Sequence, residues 1–392
     1  MITLMSIEKN IKLLTWFNFF TDFKLYAPVA ILYFAQVSGS FALGMSIFSI
    51  TMIATAIFEV PTGVFSDRIG RKKTVILGGV AAVLYSLFYA IGSSYVMLAL
   101  GAVLQGLSRS FYSGNNDALL HDTLSLVGKR EEYHYFLGRT SAMFQLALSI
   151  SAVVGAVLAS ISFPLIMWLS VIPQVFCFLL SLQMVEPLVR GKESGNIFAD
   201  LREAAAQFLH NRKLRLLSFS DILSYGFGES AYQFQAAFYN TVWPVWAIGI
   251  PKFLSNIQSM ISFYFSGALI KRYSELKILV IGTLYKLPIN VFLLGFPNVF
   301  SPILYSTNSF FYGVSKVAKN NLMQLEFTQQ QRATMSSLNS LAGNLCLAVV
   351  AVSIGLVADR LGPAKTLLIL QAYQLAHLWI FYKLAKYYRK PS

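Results

Sequence analysis

Long apolar segments separated by short polar gaps run the length of the chain, and their length is that of membrane-crossing helices. The first six run roughly over 12–36, 40–62, 73–93, 95–120, 139–161 and 163–185. A second six run roughly over 214–239, 245–270, 277–295, 299–323, 334–357 and 365–385. Turn signals such as Gly92-Ser93-Ser94, Phe163-Pro164 and Phe296-Pro297-Asn298 fall in the gaps. Leu, Ala, Phe and Met fill the spans without strict alternation, which predicts helices and not barrel strands. The polar stretch 186–213 opens with loop residues and then predicts an amphipathic helix along the membrane surface. Ile197, Leu201, Ala204, Ala205 and Phe208 share one face of it. The expected architecture is an all-α integral membrane protein: a six-helix bundle over 1–185, a linker over 186–213, and a second six-helix bundle over 214–392.

The halves resemble each other. IKLLTWFN (Ile11–Asn18) opens the first half and LRLLSFSD (Leu214–Asp221) the second, while GVFSDRIGRKK (Gly63–Lys73) corresponds to GALIKRYSELK (Gly267–Lys277). Parallel six-helix repeats are one architecture of secondary transporters. Composition agrees: hydrophobic residues make up 56% of the 392 residues and charged residues 12%, too few to cover a soluble surface. The net charge of +14 would suggest nucleic acid in a soluble protein. Here Lys and Arg gather at the N-terminus, in the gaps after spans 2, 4, 6, 8 and 10, and in the C-terminal tail. The gaps after spans 1, 3, 5 and 9 carry none, and only Lys252, Arg360 and Lys365 lie on the opposite side. The excess is therefore topogenic, and it predicts both termini in the cytoplasm of a bacterial inner (plasma) membrane. The N-terminus lacks a small-residue cleavage site, so the first span is expected to be retained. Cys177 and Cys346 read as small buried hydrophobes, and the four histidines follow no metal-binding spacing. No metal, cofactor or nucleic-acid partner is expected.

Residues 63–73 fill every fixed position of G-x-x-x-D-R-x-G-R-[KR]-[KR], and this loop between spans 2 and 3 resembles the signature of the major facilitator superfamily. The resemblance extends over essentially the whole chain. It implies twelve helices in two bundles and a loop that latches the cytoplasmic ends of the halves when the site faces outward. The residues carrying it are Gly63, Asp67, Arg68, Gly70, Arg71, Lys72 and Lys73, with Asp117 or Asp122 joining from span 4. Gly63 is expected at a close helix approach and Gly70 at a turn. Asp67 is expected to accept from a helix N-terminus or to pair with Arg71. In the second copy Lys271 and Glu275 stand for Asp67 and Arg71, a reversal of charge. Many drug–proton antiporters of the family carry G-x-x-x-G-P-x-x-G-G in span 5. The segment Ser151–Ser160 keeps small residues at Ser151, Gly155 and Ala159 but lacks the Gly-Pro kink.

Charges inside the bilayer are functional candidates. Asp22 lies about 16 Å into span 1 at 1.5 Å per residue, near the midplane. Lys24, two residues on, should face elsewhere and need not pair with it. Glu229 is central in span 7, with Gln233 one turn on and Tyr26 as its counterpart in the first half. Asp22 and Glu229 are candidates for carrying a coupling proton; Arg109, Lys316, Tyr26, Gln233 and Asn115 are candidates for binding solute. Lys24 and Lys286 are expected to snorkel or pair, and Glu59 and Asp221 to gate or cap. The expected activity is secondary active transport of a small organic solute by alternating access with protons, as an efflux system or metabolite exporter. The solute would be anionic, zwitterionic or amphiphilic, and the carrier a monomer. A passive facilitator, a flippase for lipid-like molecules, or a sensor or scaffold on the same fold are the alternatives. An enzyme is not expected, because no nucleophile–base pair, metalloprotease motif or phosphate-binding loop is present.

Overall fold

The computed structural model describes residues 4–187, 208, 211–327 and 332–389. The chain divides into two compact units, Met1–Lys192 with Pro244–Gly249, and Glu193–Trp243 with Ile250–Ser392. Every regular element among the described residues is helical. The expected linker helix lies outside the described residues except for Phe208, which packs on the core of the second unit.

The first unit contains α1 (Leu4–Asp22), α2 (Ala30–Ser38), α3 (Phe41–Ile69), α4 (Arg71–Ile91), α5 (Tyr95–Tyr112), α6 (Asn115–Leu126), α7 (Tyr133–Ala159) and α8 (Phe163–Gln183). Helix α5 packs against α3 and α4, α4 against α8, and α1 against α7 and α8. Ser40, Ser94 and Ser162 each cap a following helix by accepting from the amide three residues on. Towards the basic end, Ile11, Leu14, Phe17, Val75, Leu120 and the fully buried Cys177 form one apolar core. Outside it, Glu8 and Lys129 pair at 2.6 Å, which holds the carboxyl below and the ammonium above their ordinary ranges. On α7, Gly155 lies so close to the Leu25 carbonyl that a Cβ would overlap it, so the small-residue face of span 5 does bring two backbones together.

The second unit contains α9 (Arg212–Tyr239), α10 (Gly249–Tyr264), α11 (Ser266–Tyr273), α12 (Glu275–Gly295), α13 (Ser301–Ser306), α14 (Tyr312–Glu326), α15 (Arg332–Leu361), α16 (Pro363–Leu370) and α17 (Ala372–Arg389). Helix α9 packs against α14, α15 and α17, and α12 against α14 and α17. Leu214, Leu217, Leu322, Met335, Phe381 and Leu384 anchor their shared core.

Among the described residues six helical segments are long and apolar enough to cross a membrane: Phe41–Glu59, Arg71–Ile91, Tyr135–Ala159, Phe163–Gln183, Glu275–Gly295 and Met335–Leu361. They are spans 2, 3, 5, 6, 9 and 11. The other six are broken or carry charge. Span 1 breaks between α1 and α2, span 4 at Ser113–Gly114, and span 8 at Phe265. Span 10 breaks at the 3-10 turn Thr307–Phe311 and span 12 at Gln371, while span 7 is unbroken but holds Asp221 and Glu229. Side chains knit two of these breaks together. Asn308 donates to Asn290 at 2.7 Å, and Asn290 donates to Gln371 at 2.9 Å. Backbone freed at such breaks must find partners within the protein or in water, never in lipid.

The internal repeat survives in the backbone. Gly70 has φ 98° and ψ 158°, as the turn reading required, and its counterpart Ser274 has φ 64° and ψ 156°. Ser274 is the one non-glycine residue with positive φ among the described residues, in a region otherwise reserved for glycine. Ser274→Gly should therefore stabilise the protein by about 1 kcal/mol, seen as a higher thermal midpoint of the solubilised protein. Gly70→Ala should lower that midpoint, because its Cβ would also fall 2.8 Å from the Glu186 carboxylate. An unchanged midpoint in both variants would refute the strain argument.

Candidate transport site

Helix α1 ends at Asp22, and the chain crosses the break through Phe23–Tyr26 before a 3-10 turn over Ala27–Val29. Local bonds absorb much of the freed backbone: Lys24 N donates to Asp22 O at 2.9 Å, Ala27 N to Lys24 O at 3.0 Å, and Gln174 Nε2 to Phe20 O at 3.3 Å. The break corrects one expectation. Lys24 pairs with Asp22 at 3.7 Å, since the helical geometry that would separate positions two apart ends at Asp22. The Lys24 ammonium also stands 5.9 Å from the centre of the Tyr85 ring. Tyr26 is buried and accepts from Gln105 Nε2 at 3.3 Å, while Gln105 Oε1 accepts from Thr51 at 3.1 Å and Tyr89 at 3.0 Å. Gln105 thus ties span 1 to spans 2, 3 and 4. The sequence reading passed over it, although an amide inside the apolar run of α5 was the available signal. Arg109, one turn further on α5, is solvent-accessible and within electrostatic range of Lys24 and Tyr26. The structure therefore brings Asp22, Tyr26 and Arg109 together.

In the second unit Glu229 accepts from Gln233, one turn along the same helix, at 2.7 Å. Lys252 was expected as a charge outside the membrane. It lies instead in the first turn of α10, 3% exposed, donating to the Tyr232 carbonyl, with its ammonium 3.6 Å from the centre of the Tyr232 ring. Burial against α9 places it in electrostatic reach of Glu229. On α14, Lys316 is exposed beside Tyr312, whereas Lys319 is 6% exposed and pairs with Asp221 at 3.5 Å. Lys319 also donates to Ser224 Oγ at 2.6 Å, and Asn339 donates to Asp221 at 2.6 Å. Asp221 is thus the centre of a buried polar cluster spanning three helices, a role that its place near a helix end concealed.

The signature loop joins α3 to α4. Its central contact comes from Glu186, at the end of the first bundle, whose two carboxylate oxygens accept from the Arg71 and Lys72 amides at 2.7 and 2.8 Å. A carboxylate there satisfies two orphan amides and meets the positive end of the α4 dipole. Asn10 fixes the neighbouring backbone by exchanging two 2.8 Å bonds with Val185. Arg71 lies 3.7 Å from Asp122, so Asp122 and not the exposed Asp117 meets the loop from α6. Ser66 donates to Asn115 Oδ1 at 2.7 Å, and Asn115 Nδ2 donates to the Arg71 carbonyl at 3.1 Å. Asn115 therefore belongs to the loop and is not gathered with Asp22 and Tyr26. Arg68 is exposed, and the Asp67 side chain lies outside the described ones. Gly63 does not mark a close helix approach: a Cβ there would meet nothing within 4 Å. It lines, with Thr62, Ser66, Arg71, Phe111 and Asn115, a cleft of about 260 Å³.

The Major Facilitator Superfamily profile matches residues 13–351. An uncharacterized MFS-type transporter of Methanocaldococcus jannaschii is 22% identical over 385 residues, covering 92% of this chain and 94% of that protein. An uncharacterized transporter of Buchnera aphidicola is 26% identical over 171 residues, 43% of this chain and 41% of its own. Among solved structures, a point mutant of the nucleoside transporter NupG superposes with a TM-score of 0.83 at 14% identity, over 96% of this chain and 99% of that one. A bacterial homolog of the human lysosomal transporter Spinster, inward-facing and unoccupied, gives 0.75 at 13% identity, over 98% and 96%. At these identities the structural matches speak for the fold alone. With the profile covering most of the sequence, the chain belongs to the major facilitator superfamily and is a membrane transporter of that type.

Proposed function

We propose that the protein is a secondary active transporter that moves a small organic solute by alternating access, coupled to protons. The observation that carries this reading is the break in span 1. There a carboxylate, Asp22, stands at a helix end inside a span, paired at 3.7 Å with an ammonium in the same short turn. A carboxylate so placed can exchange its partner for a proton, and the change in charge biases which arrangement of the surrounding helices is favoured. Glu229, hydrogen-bonded only one turn along its own helix to Gln233, offers a second such group. Arg109 and Lys316, both accessible, suit an anionic or zwitterionic solute. The NupG superposition makes nucleosides a sensible part of the substrate screen without assigning them. The proposed direction is efflux from the cytoplasm, with the signature loop as the proposed conformational latch.

Purified protein in proteoliposomes with an imposed pH gradient, screened against metabolites and drugs, tests the proposal. The expected result is gradient-driven accumulation. Asp22→Asn or Glu229→Gln should lower it by about tenfold or more while leaving solute exchange measurable. Accumulation indifferent to the gradient, or undiminished in both variants, would reject proton coupling through these groups. The latch has its own test. Glu186→Ala should cost about 1 kcal/mol at the start of α4, read as faster amide exchange over the first turn of α4. Exchange unchanged there would show that the cap contributes nothing.

A further inference from the structure

The end of α17 presents one face that the second bundle leaves uncovered. Leu375, Trp379, Tyr382 and Lys386 follow one another at steps of three or four residues, so they share a side of the helix, and Lys383 flanks them. Leu375, Trp379 and Tyr382 are 58%, 55% and 59% exposed, while Ile380, Phe381 and Leu384 on the other side enter the core of the second unit. The cations of this face rest on rings. The Lys383 ammonium stands 4.8 Å from the centre of the Trp379 ring and the Lys386 ammonium 4.5 Å from that of Tyr382. The Arg212 guanidinium, from the start of α9, stands 5.8 Å from the centre of the Tyr387 ring. Among the described residues none of these three cations is in an ion pair. Glu326 and Glu275 gather instead at Tyr388, which lies on the opposite side of α17. Helix α9 opens on Arg212, Lys213 and Arg215 with no acid in its first turn, so its dipole adds to the positive potential there.

A ring face holds an exposed ammonium only weakly and leaves its other N–H donors for an anion. Away from the basic end the same face continues as phenol, indole and leucine, so a cationic tip and an apolar track lie in line along one helix. That order matches an amphiphile whose anionic head meets the cations and whose chain follows the apolar side chains. A free anion would use the tip alone. Trp and Tyr also belong at the depth of lipid headgroups, which sets the cations level with the phosphates. We propose that this corner of α17 and α9 binds an anionic phospholipid. Its phosphate is held among Lys383, Lys386 and Arg212, and an acyl chain lies along Tyr382, Trp379 and Leu375. The contact is noncovalent, and the lipid supplies the counter-charge that the protein does not place on this face. Neither solute nor proton enters the proposal, so it stands or fails apart from the transport reading.

The test titrates full-length protein in detergent micelles with phosphatidylglycerol or with phosphatidylcholine of the same chains, read by native mass spectrometry. Phosphatidylglycerol should bind about tenfold or more tightly than phosphatidylcholine. The double variant Lys383→Gln with Lys386→Gln should lose about tenfold of that preference. Lys9→Gln with Lys12→Gln, which removes the same charge from exposed positions of α1, should keep it. Equal losses in the two double variants would show a diffuse attraction to the basic rim and overturn the site. Equal binding of the two lipids would overturn it as well. Inorganic phosphate should leave the bound lipid in place; its displacement by phosphate would make this a site for the free ion and reject the lipid. If the α17 variant does not fold, wild-type amide exchange in nanodiscs decides. Phosphatidylglycerol should slow it about threefold or more over the last turns of α17 and the first of α9, relative to phosphatidylcholine. Exchange equal in the two lipids there would overturn the proposal.

Discussion

Hydrocarbon offers no hydrogen bonds, and this one constraint organises the protein. A backbone amide or carbonyl left unpaired in lipid costs several kcal/mol, as much as a charge on the insertion scale, roughly 2.5–3.5 kcal/mol at a helix centre. Long apolar helices meet most of the constraint within themselves, and six of the spans among the described residues take that route, two of them with an internal proline, Pro173 and Pro288. The others break or carry charge, and each such feature must turn towards protein or water. The places where the chain departs from a simple helix are therefore the places where chemistry can be housed.

Two ways of repairing a break are visible. In span 1 the loose ends bond to each other and to one amide from α8, which leaves the Asp22 and Lys24 side chains to neutralise one another. In spans 10 and 12 a relay of side-chain amides, Asn308 to Asn290 to Gln371, links the two breaks without charge, and Gln371 donates in turn to the Leu367 carbonyl. A relay of neutral groups joins its helices in a single state. At Asp22–Lys24 and Asp221–Lys319 the contact is instead an ion pair.

Much of this was legible in the sequence, because helix length, charge placement and the GVFSDRIGRKK loop are one-dimensional signals. The fold and family followed from them. What was illegible depended on where helices stop or which face they present. Lys24 looked remote from Asp22 only on the assumption of continuous helix. Lys316 and Lys319 lie less than a turn apart, yet burial separates their roles, and no count of residues distinguishes them. Glu186 read as the first residue of a linker; only the fold brings it to the amides of Arg71 and Lys72. Gly63 satisfied the motif without the packing role a glycine suggests, since its missing side chain makes room in a cleft instead.

The turns at Gly70 and Ser274 have nearly the same dihedral angles although one is glycine and the other is not. The charges around them are reversed, with Lys271 and Glu275 standing for Asp67 and Arg71. Shape has outlasted both the residue that makes it easy and the electrostatics it once framed. A repeat in such a chain is better measured in angles than in letters. Compared dihedral by dihedral, the two halves of a transporter can reveal common construction where an alignment of residues has gone silent.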